Sequence, residues 1–414
     1  MRGVLRGPPQ VCDKLQVVEQ VELGARVGKA KAKKTTGARA KRDKRRRAAT
    51  ETSAEAMLAS VPAVESLKDV PTFSEVAPDE AQMAAYEAFL AEAEEPEQMH
   101  VGCVVRLDRG FPLVATADDV FRAEHAVGFA KSRGEEEVLL PAAGDRVAVR
   151  VAPGHDMGVI ERVLPRRTSF ERWRGRARGE RQVLAANVDT ILIVQALGAG
   201  EVLLDRIARS MVLALDCGAE PVVVLTKADR CEADELGREV GRVRSLVGEG
   251  VRVVVTSSAE GAGLDEVRAC VPAGTCSMIL GESGAGKSTL LNALLGHDAM
   301  ATGGVREKDD AGRHTTVSRV LISLPGAGVV ADVPGLRSLP LVGHERGLAK
   351  MFPEIVRAAQ ECRFNDCTHT HEPGCAVQGA VASGEIARVR WETFQRLADE
   401  MRVSAASLDP DVTL

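Results

Sequence analysis

Three short patterns run along this 414-residue chain in an unusual order. Thr226-Lys227-Ala228-Asp229, a guanine-reading pattern, comes first. Gly281-Glu282-Ser283-Gly284-Ala285-Gly286-Lys287-Ser288, with phosphate-loop spacing, comes second. Asp332-Val333-Pro334-Gly335, an Asp-x-x-Gly element, comes last. An ordinary GTPase runs phosphate loop, then Asp-x-x-Gly, then base reader. One nucleotide can meet all three in this order only if the α/β fold is circularly permuted.

Each pattern has a physical purpose. The glycines of 281–286 let backbone N–H groups wrap phosphates, and the helix that follows adds favourable potential for anions. Lys287 is expected to reach the β- and γ-phosphates, and the Ser288 hydroxyl to ligate Mg²⁺, with Thr289 opening the helix. Asp229 can accept from guanine N1–H and N2–H while the stem of Lys227 covers the ring. Thr226 stands where Asn is commoner. Ser258 and Ala259 end the next strand, with the Ala259 N–H expected to face guanine O6. Asp332 is expected at the Mg²⁺ and the Gly335 N–H at the γ-phosphate. Leu336 follows, where many GTPases carry a water-orienting Gln. Between these elements lies Gly312-Arg313-His314-Thr315-Thr316, where a first switch belongs. Thr315 and Thr316 both qualify as Mg²⁺ ligands, Thr316 being preferred, and His314 is a candidate for positioning water.

The surrounding segments read as three folded parts. Short apolar runs separated by turns, Val101–Leu107, Pro112–Thr116, Val120–Ala126, Glu136–Leu140, Arg146–Val151 and Gly158–Val163, suggest an OB-fold β-barrel over 99–165. From 189 to 341, strands such as Thr190–Gln195 and Pro221–Leu225 alternate with helices such as Ala233–Val247, as in an α/β P-loop domain with a parallel sheet. Aromatics make up only 3% of the chain, so these cores must be built from Val, Leu, Ala and Ile. Residues 342–414 read as a small, mainly α-helical module, with a helix expected over Gly384–Met401.

That last module holds Cys362-x4-Cys367-x-His369-x5-Cys375. Three thiolates and one imidazole with no open position suit one structural tetrahedral Zn²⁺. His371 competes with His369, which is favoured as the fourth ligand. No apolar run is long enough to span a bilayer. The expectation is a cytoplasmic, monomeric protein with no membrane partner.

The net charge of −5 conceals an asymmetry. Lys29 to Arg47 is densely basic and Thr50 to Gln98 acidic, so residues 1–98 read as one disordered, charged extension, apart from a short helix around Asp79–Glu92. Residues 166–188 read as an arginine-rich linker. There Arg166, Arg167, Arg172, Trp173 and Arg174 combine guanidinium groups for phosphates with an aromatic for base stacking, a pattern fit for RNA.

Taken together, the permuted motifs, the phrase Leu184-Ala185-Ala186-Asn187-Val188-Asp189-Thr190 and the zinc segment Cys362 to Val377 resemble the RsgA (YjeQ) family of small-subunit-dependent GTPases. The resemblance covers roughly Val101 to Met401. It implies an OB barrel, a permuted GTPase core and a C-terminal zinc domain. It also implies a GTP hydrolase that binds the small ribosomal subunit and its rRNA late in maturation and is stimulated by it. A GTP-switched RNA-binding module with incidental hydrolysis is the competing reading. A zinc-bearing P-loop ATPase or kinase is a more distant one.

Overall fold

Hydrogen-bonded strands run without a break from the first part of this molecule into the second. In the computed structural model, eleven strands join in one hydrogen-bonded sheet. The described residues are 62–108, 111–126, 140–155, 157–174, 180–198, 200–300, 318–333 and 340–408. Lys68–Leu414 forms one compact unit, separate from Met1–Leu67. Within Met1–Leu67 the described residues form a single 3₁₀ turn, Val64–Ser66.

The barrel comprises β1 (Met99–Asp108), β2 (Phe111–Thr116), β3 (Val120–His125), β4 (Arg146–Arg150) and β5 (Met157–Val163). It closes because β1 also pairs with β4, while β3 and β5 run parallel. Closure leaves the barrel no free edge to aggregate. Val104, Val114, Ala123, Val147, Val149 and Ile160 fill its interior, with Phe121 and Val163 packed against them. Five of the six expected strands match these ranges closely. The sixth, Glu136–Leu140, falls mostly on residues outside those described.

The α/β part has five parallel strands: β8 (Thr190–Ala196), β9 (Glu220–Thr226), β10 (Arg252–Val255), β11 (Cys276–Leu280) and β13 (Val329–Asp332). β12 (Arg319–Ser323) is antiparallel to β13 and also pairs with β1, through Arg106↔Val320 and Leu107↔Arg319. That edge pairing carries the GTPase-type sheet into the barrel. One apolar cluster, including Leu192, Val224, Ile279, Leu290, Leu291 and Val330, lies against this sheet.

Nine α-helices are described: α1 (Glu80–Leu90), α2 (Leu204–Cys217), α3 (Ala233–Val247), α4 (Leu264–Ala269), α5 (Lys287–Leu295), α6 (Glu345–Met351), α7 (Pro353–Ala359), α8 (Ala376–Ser383) and α9 (Arg388–Leu408). None is long and apolar enough to cross a membrane. The helix expected over Gly384–Met401 starts later, because Gly384 takes a left-handed φ of 82° and ends α8.

Two expectations need correction. Residues 68–98 are not a disordered extension. Asp79 and Gln82 form a capping box that starts α1, and Val76 and Tyr86 are buried. Residues 1–61 lie outside those described. The supposed linker 166–188 is largely a β-hairpin, β6 (Ser169–Arg174) with β7 (Glu180–Ala186), paired from Ser169↔Ala186 to Arg174↔Glu180. Its arginines conceal a strand alternation that buries Phe170 and Leu184.

Candidate nucleotide site and metal cluster

Because β8, β9, β10, β11 and β13 are parallel, their carboxyl ends share one edge, where α/β sheets bind ligands. β9 ends at Thr226, β11 at Leu280 just before the phosphate loop, and β13 at Asp332. The first two patterns and Asp332 of the third, more than a hundred residues apart at the extremes, therefore meet at one sheet edge despite their rotated order.

Direct bonds tie the base reader to the phosphate loop. The Thr226 hydroxyl donates to Ala285 O at 2.6 Å, and Lys227 Nζ donates to Gly284 O at 2.6 Å. Gly286 has φ 91°, and a Cβ there would sit 3.1 Å from Thr226 Oγ1, so the loop closes over Thr226 only with glycine at this point. Lys287 Nζ donates to Gly281 O at 2.6 Å and Glu282 O at 2.7 Å, inside the loop. Ser288 and Thr289 lie in the first turn of α5. Ser283 and Gly284 are exposed at the loop's tip. The Glu282 carboxylate is ion-paired with Arg206 of α2.

Asp229 is oriented by a residue the motif reading missed. The buried Ser257 hydroxyl donates to Asp229 Oδ1 at 2.6 Å. Register explains this: β9 and β10 pair through Leu225↔Val255, so the residues just past each strand end are neighbours. Ala228 N–H also donates to Thr256 O at 3.2 Å. Ser258 and Ala259 occupy the turn that follows. His314, Thr316 and Gly335 lie outside the described residues.

The arginines divide by environment. Arg166, expected to face RNA, is structural. Its guanidinium grips the fully buried Asp145 with both Nε (2.7 Å to Oδ1) and Nη2 (2.6 Å to Oδ2), and only 8% of the side chain is exposed. Such a fork satisfies a buried carboxylate, and breaking it would strand a charge in the core. Arg167 is half-exposed between Asp79 and Asp189. Arg172 donates across the hairpin to Gln182. Trp173 and Arg174 belong to β6.

In the C-terminal module, one donor atom from each of Cys362, Cys367, His369 and Cys375 lies within 4.8 Å of the others. His369 Nδ1 is 3.4 Å from both Cys362 Sγ and Cys375 Sγ, and those sulfurs are 3.9 Å apart. With metal–sulfur bonds of about 2.3 Å, the sulfurs of a tetrahedral site stand about 3.8 Å apart, so this donor set fits Zn²⁺. Burial lowers the His369 pKa and keeps its ring neutral, as a metal ligand must be. Burial and the neighbouring thiols push the Cys367 thiol up to about 12, a crowding that a dication would relieve. His371 is exposed and bonded to Thr370. Glu372 holds the intervening turn. Its carboxylate accepts from the Thr368 hydroxyl and N–H and from the N–H groups of Thr370 and His371, which hold it far below the usual carboxylate range.

A family model described as RsgA GTPase matches residues 163–342. The small ribosomal subunit biogenesis GTPase RsgA of Streptomyces coelicolor is 43% identical over 308 residues, which cover 74% of this chain and 82% of that protein. The chain belongs to the RsgA GTPase family. The crystal structure of YjeQ from Thermotoga maritima aligns with a TM-score of 0.56 at 27% identity, over 73% of this chain and 99% of that one. That of YloQ, described as a circularly permuted GTPase, aligns at 0.54 and 22% identity over 74% and 96%, which shows the shared fold. RsgA membership makes this chain a GTP hydrolase.

Proposed function

We propose that this chain is a GTP-hydrolysing assembly factor for the small ribosomal subunit, acting as a cytoplasmic monomer late in that subunit's maturation. The observation that carries the reading is the bonding of Thr226 and Lys227 to the phosphate loop, in permuted order, within a chain 43% identical to a GTPase named for small-subunit biogenesis. Asp229, aimed by Ser257, selects guanine, and the Lys227 stem covers the ring. Adenine offers no matching donor pair, and bonds to a carboxylate are worth about 1.5–3 kcal/mol each. Ser258 and Ala259 close the base pocket.

The backbone of Gly281, Glu282, Ser283, Gly284, Ala285 and Gly286 cradles the phosphates together with Lys287, Ser288 and Thr289. Water attacks the γ-phosphorus and the bond to the bridging oxygen breaks, giving GDP and phosphate. Lys287 neutralises charge on the leaving oxygens. Mg²⁺ would add charge neutralisation there, held by Ser288 and Asp332, with Thr316 proposed from its place in the sequence. Gly335 as γ-phosphate sensor and His314 as water-positioning group rest on the same ground. Zn²⁺ at Cys362, Cys367, His369 and Cys375 would cross-link the C-terminal module. Arg167, just before the hairpin, and Arg172, Trp173 and Arg174 on its first strand are the proposed rRNA contacts.

One feature favours the alternative of a GTP-switched RNA binder. Leu336 stands where a catalytic Gln is common, so unaided turnover should be slow. Titrating GTP turnover with isolated small and large subunits decides between them. Selective stimulation by small subunits is expected. Turnover that small subunits leave unchanged overturns the proposed enzyme role.

A further inference from the structure

Phe364 is one of four large apolar side chains that stay exposed among the described residues, with 40% of its surface open. A scattered exposed phenylalanine is ordinary on a protein surface. Its setting here is not. The ring lies between Cys362 and Cys367, on a loop whose ends belong to the four-donor cluster. The guanidinium carbon of Arg363 sits 5.5 Å from its centroid, and Arg363 is exposed as well. Arg363 is itself positioned: its N–H donates to Gly374 O at 3.4 Å, and its stem runs past Gly374, beside the last cysteine. Asn365 and Asp366, which follow Phe364 on the loop, are exposed and polar, as are Thr370 and His371 on the turn between His369 and Cys375.

An aromatic face, a cation already stacked on it and exposed polar groups on the same loop match the requirements of an unpaired nucleobase and its phosphate. Protein partners usually meet broader apolar patches than one ring. We propose that Arg363 and Phe364 form a stacking platform for a single unpaired nucleobase of RNA, the ring taking the base and the guanidinium the adjoining phosphate. This rests on the reading of the chain as a small-subunit factor and gives its C-terminal module a defined chemical contact.

The test measures affinity of the zinc-loaded, full-length protein for isolated small subunits at fixed salt, and maps ultraviolet cross-links at residue 364 by mass spectrometry. Phe364→Ala should weaken binding by about 5- to 100-fold, the range of one base stack. Phe364→Trp should restore it. Zinc content and melting temperature should match wild type in both variants. Arg363→Ala should weaken binding and flatten its salt dependence, because a phosphate contact is lost. The cross-link should carry a nucleotide. Equal affinity of Phe364→Ala and wild type overturns this inference alone. So does rescue by Phe364→Leu as complete as by Phe364→Trp, or a cross-link to a ribosomal protein, either of which identifies an apolar protein contact. Wild-type protein that fails to bind small subunits overturns the parent reading and the platform with it.

Discussion

Asp229 receives its 2.6 Å bond from Ser257, one residue before the Ser258-Ala259 pair that the sequence pattern singles out. Replacing Ser257 with Ala leaves the carboxylate in place but free to turn, and removes a bond of about 1.5–3 kcal/mol to a charged group. GTP affinity should fall about tenfold, with ATP affinity unchanged, as measured with fluorescent nucleotide analogues. An unaltered preference for GTP would refute the orienting role. The described motif residues Thr226, Lys227, Asp229 and Gly281 to Lys287 stand out in sequence because each carries its own chemistry at fixed spacing. Ser257 does not, because its role depends on strand register, which brings residues 28 apart together. Arg166 failed in the opposite direction. Among neighbouring arginines it has no mark in sequence, and only its approach to Asp145, 21 residues away, separates a buried counter-ion from a surface cation.

Helices α2 and α6 cap each other, although no pattern in either one announces it. Asp216, near the end of α2, accepts from Gly347 N–H at 3.0 Å and pairs with His344 Nδ1 at 2.8 Å, at the start of α6. In return Lys350 Nζ donates to Leu215 O at 3.0 Å, and Arg346 donates to Asp216 O. Acid at one helix start and base at the other's end both suit the helix dipoles. Burial works to raise the Asp216 pKa, but the His344 bond and charge, Arg346 and the Gly347 N–H outweigh it, so the net shift is downward. A depressed carboxylate pKa stabilises the fold above its unfolded value, near 4, and loses that contribution only as pH falls through the lower folded value. Asp216→Asn should therefore cost about 1–3 kcal/mol at neutral pH, and the gap to wild type should narrow only in strong acid. Gly347→Ala tests the packing of the same contact, since its Cβ would lie 2.1 Å from Val212 O. A loss of about 1–3 kcal/mol is expected in thermal unfolding. Gly241→Ala in α3, where nothing lies within 4 Å, should instead raise stability by about 0.5–1 kcal/mol. Equal effects at the two glycines would remove the packing argument.

Across the whole compact unit, the segment from Asp69 to Gln98 reaches both the α/β sheet and the barrel. Asp69 bonds His297 after α5 and, through its carbonyl, Ser323 N–H of β12, while the Glu75 carboxylate takes the Ser323 hydroxyl. Further along, Arg146 of β4 donates to Ala77 O, Tyr86 OH donates to Met99 O, and the Arg162 guanidinium stacks on Phe89. Gln82, 2% exposed, donates to Pro165 O and Asn187 Oδ1 where barrel and hairpin join. Charge composition averaged this segment into a disordered tail because its ties run to residues distant in sequence, and α1 buries only Gln82 and Tyr86, with Met83, Phe89 and Leu90 partly buried against Ala148 and Leu164. Only the short helix around Asp79–Glu92 was readable locally, and the capping box of Asp79 and Gln82 is what starts it. Two truncations test the strap. A chain beginning at Pro62 keeps every contact named above and sets the reference urea midpoint. One beginning at Met99 loses the burial of Val76 and Tyr86, about 1.5–3 kcal/mol each, and leaves Ser323 without the Asp69 and Glu75 partners. It should unfold about 3–6 kcal/mol more easily. Equal midpoints for the two truncations would show that Asp69–Gln98 adds nothing to the fold, and the acidic segment would then return to the solvated tail that its charge suggested.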